Sequence, residues 1–127
     1  MTPAHVISAI REFGRAAGIG DFSLNARDSA AVKFESGATL RFEYCFDGLT
    51  IAMTVPSGSD PATMRRLLEY AAPSQHGGIR PIRAGYFEKS GFALFAIRIS
   101  EEAVTLPALN AAFEELWHIV NEFGGPQ

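Results

Sequence analysis

The stretch Phe92-Ala93-Leu94-Phe95-Ala96-Ile97-Arg98-Ile99 constrains this chain more than any other. It has strand length, is rich in residues that favour strands, and is apolar on both faces. Alternation puts Phe92, Leu94 and Ala96 on one face and Ala93, Phe95, Ile97 and Ile99 on the other. A strand of this kind must be covered twice. The remaining sequence offers a few short helices, enough for one side of a sheet. The second cover is therefore expected from another copy of the protein or from a bound ligand chain. That points to a binding module rather than an enzyme.

With 127 residues the chain is long enough to bury one core as a single domain. An apolar fraction of 47% with 20% charged residues excludes a disordered chain. The one cysteine, Cys45, rules out an internal disulfide and a Cys-cluster zinc site, and fits a reducing cytosol. Met1–Gly20 is amphipathic and carries Arg11, Glu12 and Arg15, unlike a signal peptide. No apolar run is long enough for membrane insertion. A net charge of −3 argues against nucleic acid, whose binding needs clustered Lys and Arg. The charge is uneven: residues 101–127 carry −5 and residues 61–100 carry +4. The acidic end is expected to be a solvated helix face.

Thr2 and Pro3 suit the cap and first turn of a helix. Val6, Ile10, Phe13 and Ala17 follow at helical spacing, before Gly18 and Gly20 end it. Phe34–Leu40 reads as a hairpin with Gly37 in a three-residue loop, setting Phe34 opposite Leu40 and Val32 opposite Phe42. Asp47-Gly48 reads as a type I′ turn. It pairs Phe46 with Leu49, Tyr44 with Ile51, Phe42 with Met53 and Leu40 with Val55, all on one apolar face. Asp60-Pro61 opens a second helix with Met64, Leu67, Leu68 and Ala71 inward. Pro73–Gly78 is a polar loop, and a hairpin of about Ile79–Phe87 and Phe92–Ser100 follows. Thr105 caps a last helix bearing Leu106, Leu109, Phe113, Leu116, Val120 and Phe123 as one stripe. The expected fold is α+β, an antiparallel five-stranded sheet with three helices in the order α-β-β-β-α-β-β-α. Residues 1–123 form the ordered core, and 124–127 a mobile tail.

No constellation carries catalysis, and no cofactor is expected. Gly14, Gly18 and Gly20 lack dinucleotide-loop spacing. Glu115-Leu116-Trp117-His118 matches the Glu-x-x-His pattern of carboxylate-bridged metal sites, but such sites need two copies, so no metal is expected. Cys45 lies mid-strand with no activating base beside it.

Phe13-Gly14-Arg15-Ala16-Ala17-Gly18-Ile19, leading to a first strand at Phe22-Ser23-Leu24, resembles the phenylalanine-glycine then glycine-aliphatic passage of a known family. The Ala31–Phe42 hairpin, the Leu49–Val55 strand, the Ala62–Ala71 helix, the Tyr86–Ile99 hairpin and the Leu109–Trp117 helix follow the same order. This family is the class I type III secretion chaperones, the CesT- and SycE-like group. The resemblance implies a cytoplasmic bacterial homodimer, without enzymatic activity, that holds the N-terminal region of a secreted effector as an extended ribbon. It suggests effector pockets at Ile7, Ile10, Phe13, Phe22, Leu24, Val32 and Phe34. It also suggests a dimer contact at Met64, Leu67, Leu68, Phe92, Phe95 and Ile97. A rival of related fold is a YbjN-type regulator that binds a folded protein partner. A hotdog-type thioesterase is a third, but its long central helix has no counterpart in this element order.

Overall fold

Alternating apolar residues along five strands build one antiparallel sheet, and three amphipathic helices close one of its faces. The computed structural model describes residues 2–58, 60–71 and 82–124. In chain order the elements are α1 (Ala4–Ala16), β1 (Ser29–Lys33), β2 (Thr39–Cys45), β3 (Gly48–Pro56), α2 (Pro61–Ala71), β4 (Arg83–Phe87), β5 (Phe92–Ser100), a 3-10 turn (Glu101–Ala103) and α3 (Leu106–Gly124). The sheet order is β1-β2-β3-β5-β4. This is the α+β architecture and element order that the sequence predicts. The polar loop at Pro73–Gly78, the start of the fourth strand at Ile79 and the tail from Gly125 lie outside the described residues. Within them, Phe22–Leu24 is not a strand, and the first strand is β1.

The core lies between the helices and one sheet face. Leu40, Phe42, Leu49, Ile51, Met53, Phe95 and Ile97 supply that face and are fully buried. Val6, Ile10 and Phe13 of α1, Leu67 of α2 and Leu109, Ala112, Leu116 and Ile119 of α3 close over it. Each fully buried large side chain contributes about 2 kcal/mol relative to exposure, so this layer is the main source of stability. β5 occupies an inner position, paired with β3 on one edge and β4 on the other. Its Ala93, Phe95, Ile97 and Ile99 face the helices. The first of its two covers therefore comes from the chain itself.

Both hairpins differ in register from the sequence expectation by two residues, so the residues that stay within the strands keep their face. In the first, Val32 lies opposite Leu40 and Ala30 opposite Phe42. The loop is Glu35-Ser36-Gly37, with Gly37 at φ 96° in its last position, where such loops need the left-handed conformation. In the second, Cys45 pairs with Gly48 and Phe42 with Ile51. The type I′ turn is thus Phe46-Asp47, with φ of 53° and 58°, and not Asp47-Gly48. The cause is Arg98. Its guanidinium donates to the Cys45 carbonyl at 2.8 Å and to that of Phe46, passing over Gly48. A Cβ on Gly48 would stand 2.6 Å from Arg98 Nη2, so the glycine serves as a gap in the strand. Phe46 then leaves the core face and is 89% exposed.

Helix ends are closed by specific bonds. Gly18, at φ 73°, ends α1 with Ile19 N–H donating to the Gly14 carbonyl and Gly18 N–H to that of Arg15, a Schellman motif. Pro3, rather than Thr2, is the N-cap of α1. The Thr2 hydroxyl is committed to Asp28 Oδ1 at 2.6 Å instead. Asp60 caps α2 through the Thr63 amide and hydroxyl, which hold its carboxyl below the ordinary range. The Thr105 hydroxyl accepts from the Ala108 amide at the start of α3. Arg66 closes the other end of α3, donating to the carbonyls of Glu122 and Phe123, with its guanidinium 5.2 Å from the Phe123 ring.

Candidate functional site

Three surfaces remain open on this frame. The first is a trough between α1 and the segment leading from it to β1. Gly14 sets its depth, because a Cβ there would stand 2.6 Å from the Phe22 Cβ and 3.2 Å from the Gly20 carbonyl oxygen. The loop therefore presses against the helix only where α1 has no side chain. Beyond Phe22 the chain runs without a partner. Neither the amide nor the carbonyl of Ser23 or Leu24 is hydrogen-bonded among the described residues. Asn25 restarts pairing, its amide donating to the Ser29 carbonyl while its side chain accepts from Arg27 and Ser29.

Ile7 and Leu24, both half-buried, line a hollow of about 270 Å³ with Arg11 and Asp28. A wider hollow of about 570 Å³ continues past Arg11, Ser23 and Phe22 to Arg15 and Gly20. Arg11 and Arg15 are exposed. Sequence reasoning missed them as wall residues, although their separation of four already placed them one above the other on a helix.

The second surface is the end of an aromatic chain. Phe22 packs edge-on to Phe42, and Phe13 lies near Phe22, Phe42 and Phe113. Phe34 then meets Phe113 and Trp117, the last at 5.3 Å. The inner members are buried, whereas Val32, Phe34, Phe113 and Trp117 are half-buried beside β1, which has one unpaired edge among the described residues. The third surface is the sheet face away from the helices. Phe92 and Leu94 are half-buried there, Phe87 is 51% exposed, and Arg41, Glu43, Arg83 and Arg98 surround them.

The expected site residues therefore divide. Ile7, Leu24, Val32 and Phe34 reach the surface, whereas Ile10, Phe13 and Phe22 are core residues beneath it. Of the expected dimer residues, Leu68 (71% exposed) lies open, and Phe92 and Met64 are half-buried. Phe95, Ile97 and Leu67 are buried within the single chain. For β5 the reason is parity: apolar residues on both faces gave no way to tell which set the helices take. Leu94 belongs to the set left outside.

A polar cluster sits beyond the near end of the trough. Tyr44 donates its hydroxyl to a Glu101 carboxylate oxygen, and this bond, with negative charge at Glu101, Asp47 and Asp28, pushes its pKa up to about 12. His5 Nε2–H donates to the Glu101 carbonyl at 2.8 Å, and the Glu101 amide donates to the Asp47 carbonyl. The cluster ties α1, β2, its turn and the 3-10 turn together, and so serves structure. His118 of the Glu-x-x-His sequence pairs with Glu122 at 3.2 Å. No group of three or more metal-ligating side chains occurs among the described residues. None of their helices is long and apolar enough to cross a membrane.

The fold is shared with known chaperones. The structure of the HopA1–SchA chaperone–effector complex contains a chain matching at a TM-score of 0.72, with 16% identity over 91% of this chain and 90% of that one. The ExsC–ExsE complex gives a TM-score of 0.76, with 16% identity over 97% and 94%. Yersinia pestis SycH, solved with a stable fragment of YscM2, gives 0.72, with 14% identity over 93% and 98%. No curated protein matches the sequence. A model of the family described as type III secretory system chaperone SycN matches residues 6–123. The chain thus belongs to the SycN family of type III secretory system chaperones.

Proposed function

We propose that this protein is an export chaperone of the class I kind, acting in the bacterial cytoplasm as a homodimer. Each subunit holds an N-terminal segment of a secreted effector in extended form and shields it until export. The observation that carries this reading is the unpaired main chain at Ser23 and Leu24, laid beside the half-buried Ile7. An extended segment can pair with such a strand-like stretch, while its alternate side chains enter the apolar hollow. Val32 and Phe34, with Trp117, offer a second apolar footing along the unpaired edge of β1. Proteins of similar fold have been solved with effector chains or partner fragments, which supports a partner-binding role.

For the homodimer, the outward set on β5 is the natural contact. Phe92, Leu94 and the neighbouring Phe87 form an apolar strip that the helices leave uncovered, and Leu68 extends apolar surface on α2. Co-expression with proteins encoded nearby tests the proposal. One of them should co-purify through a segment that a protease cuts when free and spares when bound. Retention of a folded domain alone, with no extended segment protected, would instead support a regulator of YbjN type.

A further inference from the structure

Arg11 and Arg15 stand on the wall of the trough with no ion pair among the described residues. They lie one helical turn apart, a like-charge arrangement that is unfavourable on an isolated helix. Asp21 and Asp28 line the same hollows, but among the described residues neither they nor Glu12 forms an ion pair with either guanidinium, and Asp28 accepts instead from the Thr2 hydroxyl. Below the two arginines lies the unpaired main chain of Ser23 and Leu24, and beside them the Ile7–Leu24 hollow.

From this geometry we infer that the trough selects extended segments in which acidic residues alternate with aliphatic ones. The inference rests on the proposed binding of an extended segment at this trough. From Ile7 to Arg15 the helix advances about 12 Å, the span of about four extended residues. Alternate residues of a strand lie about 6.6 Å apart on one face, close to the separation of side chains one helical turn apart. Two carboxylates on the outer face of the segment therefore meet Arg11 and Arg15 together, while the residue between them faces Leu24. Guanidinium groups suit this task because they take carboxylates through paired N–H donors.

The test uses a short capped peptide alternating glutamate with valine, and its glutamine and lysine counterparts, titrated into the full-length protein at low salt. Binding is followed at the Ser23 and Leu24 amides by NMR. The glutamate peptide should bind about fivefold tighter than the glutamine peptide, as expected for two solvent-facing ion pairs, and the lysine peptide weakest. The preference should shrink with added salt. It should vanish in the Arg11→Gln/Arg15→Gln double variant, whose circular dichroism spectrum should match that of the wild type. Equal binding of the glutamate and glutamine peptides at these amides would overturn the charge selection and leave the trough as a segment site. Binding of none of the three at these amides would overturn both.

Discussion

At the scale of single residues, Arg98 and Gly48 decide how the second hairpin turns. A methyl at Gly48 expels the guanidinium from the Cys45 and Phe46 carbonyls. Gly48→Ala should cost about 1–2 kcal/mol by urea denaturation, and much less in an Arg98→Ala background. Equal cost in both backgrounds would remove the coupling. Phe46, exposed at φ 53°, has no packing to lose. Phe46→Asn should therefore stabilise the protein by up to about 1 kcal/mol, because asparagine tolerates the left-handed region better. The Tyr44 hydroxyl offers a pH signature. Its folded pKa lies above the ordinary 10.0, at about 12, so the neutral phenol is the form that folding favours. Its contribution is complete below pH 10 and is lost as the pH rises through about 12. Stability between those values should fall in the wild type and more gently in Tyr44→Phe. The sequence contained Asp47-Gly48 and Arg98 but not their meeting, since a contact across 50 positions has no local signal.

At the scale of elements, the sequence was most legible where period and cap agreed. The α3 stripe, its Thr105 cap and the opening of α2 at Asp60 all appear in the structure as read. Strand faces were legible too, since a register slip of two residues leaves parity unchanged. Loop placement was not, because several small or polar residues can each supply a turn. The Phe22-Ser23-Leu24 stretch is the instructive miss. Its pattern is that of a strand, yet the main chain of Ser23 and Leu24 has no partner among the described residues, and that recommends it as a binding stretch. Gly14 links α1 to it. Gly14→Ala must push Phe22 and Gly20 away, costing about 1–3 kcal/mol and weakening segment binding. Intact stability with normal binding would mean the helix and loop are not held this closely.

At the scale of the whole molecule, the two faces of β5 differ. One face is sealed by the chain's own helices and the other is open, so the two faces make opposite predictions. Ile97→Asp puts a charge into a filled core and should abolish soluble folded protein. Leu94→Glu changes only the open face. It should give a folded monomer, whereas the wild type should sediment near twice 13.7 kDa at micromolar concentration. A dimer unaffected by Leu94→Glu would move the contact elsewhere. The acidic charge of the last 27 residues and the basic charge of the preceding forty were readable from composition. Which cations stay unpaired was not, and Arg11 and Arg15 emerged only once the loop was seen beside α1.

The most direct measurement is amide hydrogen exchange of the full-length protein, free and bound to a co-purified effector segment. Ser23 and Leu24, which have no main-chain partner among the described residues, should exchange freely when the chain is alone and become protected in the complex as the incoming segment pairs with them. Protection confined to β5 and α2, with these two amides still exchanging as in the free protein, would contradict the account.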